Sequence, residues 1–210
     1  MLIKTASLRR LLEKDDMTSY QIKKAFWDRD GNIYALLPED CFVRVTWDEL
    51  PRYRYGVLSY MWGSPWHPLV HFILDSESGV LQPYMWVDIK CLDQLSKDKM
   101  KTIQRSDEIY HHAKEYHLME LGSLFRGWVL FELASVKPTM LPPITHYTTK
   151  DPVAIKMVLA HLRRTGFDGS EFTDEADRAV VKKKILDTYG SVEKFNEKII
   201  SIVDNILKKK

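Results

Sequence analysis

Two stretches decide the fold: residues 55–64, YGVLSYMWGS, and residues 83–94, PYMWVDIKCLDQ. Each is a short apolar run that stops abruptly on polar groups. Val57 and Leu58 run into Ser59 and Tyr60, with Trp62 and Gly63 just beyond. Residues 84–87 form a buried type of strand that stops at Asp88. Between them PLVHFIL (68–74) is an apolar run that fits either a strand or a helix. Residues 97–116, KDKMKTIQRSDEIYHHAKEY, set Met100, Ile103, Tyr110 and Ala113 at helical spacing among charges. A brief strand, YHLM (116–119), leads into an apolar helix in SLFRGWVLFELASV (123–136). Strands alternating with helices predict an α/β fold with a mostly parallel sheet flanked by helices.

Outward from this centre, the patterns grow simpler. Residues 5–14 read as a short amphipathic helix. AFWDRDGNIYALL (25–37) reads as a hairpin around Asp30-Gly31, and CFVRVTW (41–47) as a strand. The prolines of VKPTMLPPITHY (136–147) mark a boundary. Beyond it, Asp151-Pro152 starts a helix, Thr173 caps a second that ends near Gly190, and Ser191 caps a third. Phe195, Ile199, Ile202, Val203 and Ile206 make the apolar stripe of that last helix. The expected organisation is an N-terminal helix and hairpin over 1–50, an α/β core over 51–140, and a helical C-terminal extension of the same domain over 141–210.

Composition narrows the function classes. The net charge of +2 gives no strong field for nucleic acid, and the lysine runs at 182–184 and 208–210 read as a solvated helix face and a tail. No run of 18 apolar residues exists to span a membrane. Cys41 and Cys91 make neither a disulfide framework nor a zinc site, which fits a reducing, cytoplasmic location. The basic start of the chain weakly mimics a transit peptide but equally makes the short helix. His67 and His71 are four apart, yet Pro68 disfavours a helix across them, so no metal site is expected. Cys91 has no base fixed beside it and reads as a buried cysteine.

In open parallel sheets ligands sit beyond the carboxyl ends of the strands. Ser59, Tyr60 and Asp88 fall at such ends, although a serine or aspartate after a strand is also an ordinary turn or cap. Trp62 offers a stacking face beside Gly63. Glu132 stands out more. On a helical wheel it lies among Phe125, Trp128, Val129 and Val136, with only Arg126 as another charge in the helix. A carboxylate on an apolar face loses hydration, which raises its pKa. It serves either a structural bond or a pocket. Trp128, one turn before it, is either a stacking surface or a core residue with its N–H satisfied.

Taken in order, LSYMWGS (58–64), YMWVDIKCLDQ (84–94), IYHHAKEY (109–116) and RGWVLFEL (126–133) resemble the four motifs of the fungal heterokaryon-incompatibility (HET) domain. The likeness covers a little over a third of the chain. One departure is the short stretch from residue 65 to 83, where the family's usual helix is expected to be reduced. HET domains are in turn similar to TIR domains, whose fold is flavodoxin-like and whose NAD-cleaving members carry the catalytic glutamate in a W-x-x-x-E segment. Trp128 and Glu132 match that pattern. The resemblance implies Glu132 as catalytic residue, with Ser59, Tyr60, Trp62, Asp88 and Trp128 around a nucleotide. It implies NAD as a possible substrate with no cofactor or metal, and self-association for activity. It equally implies the other role of such domains, a non-enzymatic interaction module for self-recognition or cell-death signalling.

Overall fold

Residues 1–13, 17–18, 21, 37–61, 63–75, 82–88, 103–118, 120–137 and 152–208 are described by the structure, a computed structural model. Among them, five short strands build one open α/β sheet in the order β2-β1-β4-β3-β5. These are β1 (Leu2–Lys4), β2 (Phe42–Val43), β3 (Tyr55–Ser59), β4 (Tyr84–Trp86) and β5 (Glu115–Leu118). β3 lies between β4 and β5 and runs parallel to both, with Val57 opposite Trp86 on one side and Tyr116 on the other. β1 pairs antiparallel with β4, and β2 antiparallel with β1.

The sheet is therefore mixed, which corrects the expectation of a mostly parallel one. Of these four pairings two are parallel and two antiparallel. The physical reason lies at the N-terminus. Leu2 and Ile3 are buried and close the open edge of β4. An antiparallel neighbour needs no crossover helix, so the first residues can add to the sheet directly. The strand expected over 41–47 is reduced to Phe42–Val43. The hairpin expected over 25–37 lies, apart from Leu37, outside the described residues.

Helix α1 (Trp66–Leu74) joins β3 to β4, and α2 (Ser106–His112) precedes β5. The chain moves in opposite directions across the sheet in these two connections, so right-handed crossovers put α1 and α2 on opposite faces. Their packing agrees. α1 lies against the 3-10 helix Thr5–Glu13, whereas α2 lies against α3 (Gly127–Ser135). α1 also shows that residues 68–74 are helical and that a helix does run across His67 and His71. Pro68 sits in its first turn, where a missing N–H costs nothing.

The apolar segment 123–136 is not one helix. Residues Leu121–Phe125 form a 3-10 helix, Arg126 is extended, and α3 begins only at Gly127. The break has a cause: residues 125–127 pair with Glu171 like a strand. Glu171 N–H donates to the Phe125 carbonyl (2.7 Å) and Gly127 N–H donates to the Glu171 carbonyl (3.1 Å). Val136 is extended as well. Of the residues placed around Glu132 on the wheel, only Trp128 and Val129 share its helix.

Three further helices follow: α4 (Pro152–Thr165), α5 (Ala176–Tyr189) and α6 (Val192–Lys208). α6 buries Phe195, Ile199, Ile202 and Val203 against α3, α4 and α5, and α5 also packs on α3. Ser191 caps α6 by accepting the Lys194 N–H (3.2 Å). Gly190 ends α5 in the left-handed region (φ 79°), which glycine adopts without steric cost. Thr173 is not the cap of α5. That helix starts three residues later, with the Asp174 carboxylate accepting the Ala176 N–H (3.0 Å). Among the described residues, no helix is long and apolar enough to cross a membrane.

Candidate functional site

The pleat of three parallel strands determines which side chains meet. Successive residues point to opposite faces, so Tyr55, Val57 and Ser59 share one face of β3. Tyr55 marks which face: its hydroxyl donates to the Ile109 carbonyl of α2 (2.6 Å). Register then carries the same face to Trp86 on β4 and to Tyr116 on β5. Trp86 meets Tyr110 of α2 edge to face at 5.5 Å, and Tyr110 meets Tyr116 at 6.3 Å. α3 closes this face and brings Glu132 down onto the last residue of β3, where the Ser59 hydroxyl donates to the Glu132 carboxylate.

Asp88 joins from the neighbouring strand end. It accepts a hydrogen bond from the Tyr60 hydroxyl (2.7 Å), which ties the segment after β4 to the segment after β3. Tyr60 in turn packs edge to face on Trp66 at the start of α1 (5.6 Å). On the other side of β3, Ser64 donates to Glu120, so the segments after β3 and β5 are tied as well. The chain leaves β3 toward one face of the sheet and reaches α2 and α3 on the other. β3 is therefore the point where the strand order reverses, the position at which open α/β sheets hold their ligands.

Glu132 is half-buried, yet protein crowds its carboxyl closely. Burial pushes its carboxyl up to about 8; hydrogen bonding from Ser59 and from Tyr110 pulls it down, and the charge of Asp88 raises it further. No lysine, arginine or histidine among the described residues stands against Glu132. Its surroundings therefore favour the neutral form of the carboxyl over the ionised one.

Two residues of this cluster escaped the sequence reading: Tyr110 as a site residue, and Tyr116 altogether. They are 1% and 0% exposed, and neither hydroxyl closes a hydrogen bond of good geometry. Both lie near enough to Glu132 for its charge to act on them, and burial first, then that charge, pushes both phenols well up. A buried hydroxyl without a partner costs free energy. Here the nearest polar groups are those of the cluster itself, Glu132 for Tyr110 and Ser59 for Tyr116. The signal in the sequence was strand parity: Tyr116 faces the same way as Val57, its opposite number on β3.

The RGW triplet before Glu132 does a different job. Arg126 donates to the Thr173 hydroxyl, and the Trp128 indole N–H donates to the Asp177 carboxylate of α5 (3.0 Å). A Cβ on Gly127 would stand 2.0 Å from the Phe172 ring, so only glycine lets that ring close on α3. Arg178 covers the same ring with its guanidinium 4.8 Å from the centroid. These three residues fasten the C-terminal helices to the helix that carries Glu132. Trp128 is half-buried with its N–H satisfied.

Of the residues singled out from sequence, Ser59, Tyr60, Asp88 and Glu132 are thus brought together. Trp62 and Cys91 lie outside the described residues, and Trp128 is turned to Asp177. Among the described residues no group of three or more histidine, cysteine, aspartate or glutamate side chains could hold a metal ion. No protein-family model, curated protein or solved structure matches the chain.

Proposed function

We propose that this chain is a HET-like signalling or defence domain with a TIR-related, flavodoxin-like core. Its crevice breaks the N-glycosidic bond of NAD or a related nucleotide. Two features support the family reading. The parallel strands, taken in chain order, lie 2-1-3 across the sheet, as the first three strands of flavodoxin-like folds do. The four motifs also converge, since LSYMWGS, YMWVDIKCLDQ, IYHHAKEY and RGWVLFEL supply Ser59, Asp88, Tyr110 and Glu132 to one cluster.

The observation that carries the chemistry is Glu132 itself, a crowded, partly open acid bonded to Ser59 at the end of a central strand. Cleaving an N-glycosidic bond leaves the electron pair on the departing base nitrogen and builds oxocarbenium character on the ribose. An ionised carboxylate held in a low-dielectric site stabilises that charge. Ser59 orients the carboxyl. Tyr60 and Asp88 offer polar contacts for ribose hydroxyls, and water completes the hydrolysis. Self-association concentrates such domains and raises their turnover.

Nicotinamide release from NAD, followed by chromatography at high protein concentration, tests this reading. The wild-type chain should release nicotinamide and a folded Glu132→Gln variant should not. Equal turnover by the variant removes Glu132 from the chemistry, and no turnover of any nucleotide removes the reaction class. The second reading, a non-enzymatic interaction module, is favoured by the Trp128–Asp177 bond, which gives the tryptophan of W-x-x-x-E an architectural task. Under it, Glu132→Ala costs folding rather than activity.

A further inference from the structure

The lysine run 182–184 reads from sequence as a solvated helix face, and for two of its members that holds. Lys182 pairs with Asp168 and Lys183 with Asp187 at the surface, their side chains 46% and 77% exposed. Lys184 differs. Its side chain is 12% exposed, and its ammonium donates to the Asp107 carboxylate in the first turn of α2 (2.7 Å). The same ammonium lies 4.9 Å from the centroid of the Phe131 ring of α3. A carboxylate on one side and a ring quadrupole on the other both attract it. One cation of α5 thus touches both helices that cover the Tyr55 face of the sheet.

Its two contacts adjoin the site. Asp107 stands three residues before Tyr110, a helical neighbour on α2, and Phe131 directly precedes Glu132 on α3. Tyr110 and Glu132 are themselves within hydrogen-bond reach of each other. α5 grips α3 at two further points. Asp177 accepts the Trp128 indole N–H, and the Tyr189 hydroxyl donates to the Ala134 carbonyl (3.0 Å). The Lys184–Asp107 bond extends the same support to α2.

We infer that Lys184 is a positioning residue of the site: by tying α2 to α3 from α5, it sets how closely Tyr110 approaches Glu132. It does so without contact to the reacting groups. Neither Lys184 nor Asp107 is among the groups whose charge acts on Glu132, so an effect of either on that acid travels through the helices. The inference deepens the N-glycosidase reading and rests on it only for the turnover arm of its test.

Carbon-13 NMR of the full chain, labelled at the glutamate side-chain carboxyls, follows Glu132 without a substrate. Loss of one signal in Glu132→Gln identifies it. Lys184→Met keeps the stem against Phe131 and removes the ammonium, and Lys183→Met is the surface control. Loosening α2 from α3 weakens the hydrogen bonding from Tyr110 that pulls the Glu132 carboxyl down. Lys184→Met should therefore raise the Glu132 midpoint by at least about half a pH unit, about threefold in its ionisation constant, while Lys183→Met leaves it in place. Asp107→Asn, at a side chain 43% exposed, should give the same rise, and the double variant no more, because both changes break one bond. Should Lys184→Met fail to fold, Asp107→Asn alone decides. In turnover of NAD, kcat should fall about tenfold with KM within about twofold. An unchanged Glu132 midpoint in either folded variant overturns the inference, even if the urea midpoint drops, since a merely structural tie costs stability alone. NAD turnover beside an unchanged midpoint would leave the N-glycosidase reading standing. A raised midpoint without turnover of any nucleotide by the wild-type chain would support this inference and remove that reading.

Discussion

Replacing Glu132 by glutamine keeps the shape of the side chain and removes its proton equilibrium. The folded carboxyl sits at about 8 against an ordinary value of 4.5. Between those two values the folded chain holds a proton that the unfolded chain has lost. By linkage, stability then falls as pH rises through this window. Glu132's favourable contribution is complete below the unfolded pKa and is lost as pH rises through the folded one. The slope is about 1.4 kcal/mol per pH unit, so the loss accumulates to about 5 kcal/mol by pH 8. Urea unfolding of both proteins at whole pH steps from 5 to 9 measures it. The wild-type curve should fall relative to Glu132→Gln with that slope up to about pH 8 and then run parallel to it. Parallel curves over the whole range would refute the claim that Glu132 is crowded and uncompensated by a cation.

Other changes probe the parts that hold this acid in place. Ser59→Ala removes a bond that pulls the Glu132 carboxyl down, so the falling limb of the same stability curve should extend to higher pH. Gly127→Ala forces a methyl group into the Phe172 ring and should cost about 1–3 kcal/mol, read as a lower urea midpoint with an unchanged m-value. Asp177→Ala deprives the half-buried Trp128 indole of its acceptor. It should cost about 1–3 kcal/mol by the same assay, and Trp128→Phe should then add little in the double mutant.

Sequence periodicity revealed the elements that bury one continuous stripe and missed those that depend on distant partners. β3, β4, α6 and the polar stops at Ser59 and Asp88 could be read directly, because each is a local pattern that tertiary contacts reinforce. The break at Arg126 could not. Its cause is Glu171, 45 residues further on (171 minus 126), which pairs with the chain there and overrides a strongly helical run. The antiparallel β1 was missed for the same reason, since three residues carry no period and only the open edge of β4 recruits them. The wheel also misplaced Phe125 and Val136, yet Glu132 still emerged, because its strangeness is one of composition: a lone acid in an apolar turn. Tyr116 stayed hidden because an apolar-looking aromatic in a strand gives no sign that its hydroxyl will be left without a partner.

The central claim is that Glu132 receives the sugar of a nucleotide. A crystal structure of the chain with an uncleavable NAD analogue soaked in tests it most directly. The account predicts the ribose beyond the carboxyl end of β3, with the Glu132 carboxylate within hydrogen-bond distance of it and Ser59 still bonded to that carboxylate. A nucleotide bound elsewhere, with Glu132 sealed beneath its neighbours, would contradict it.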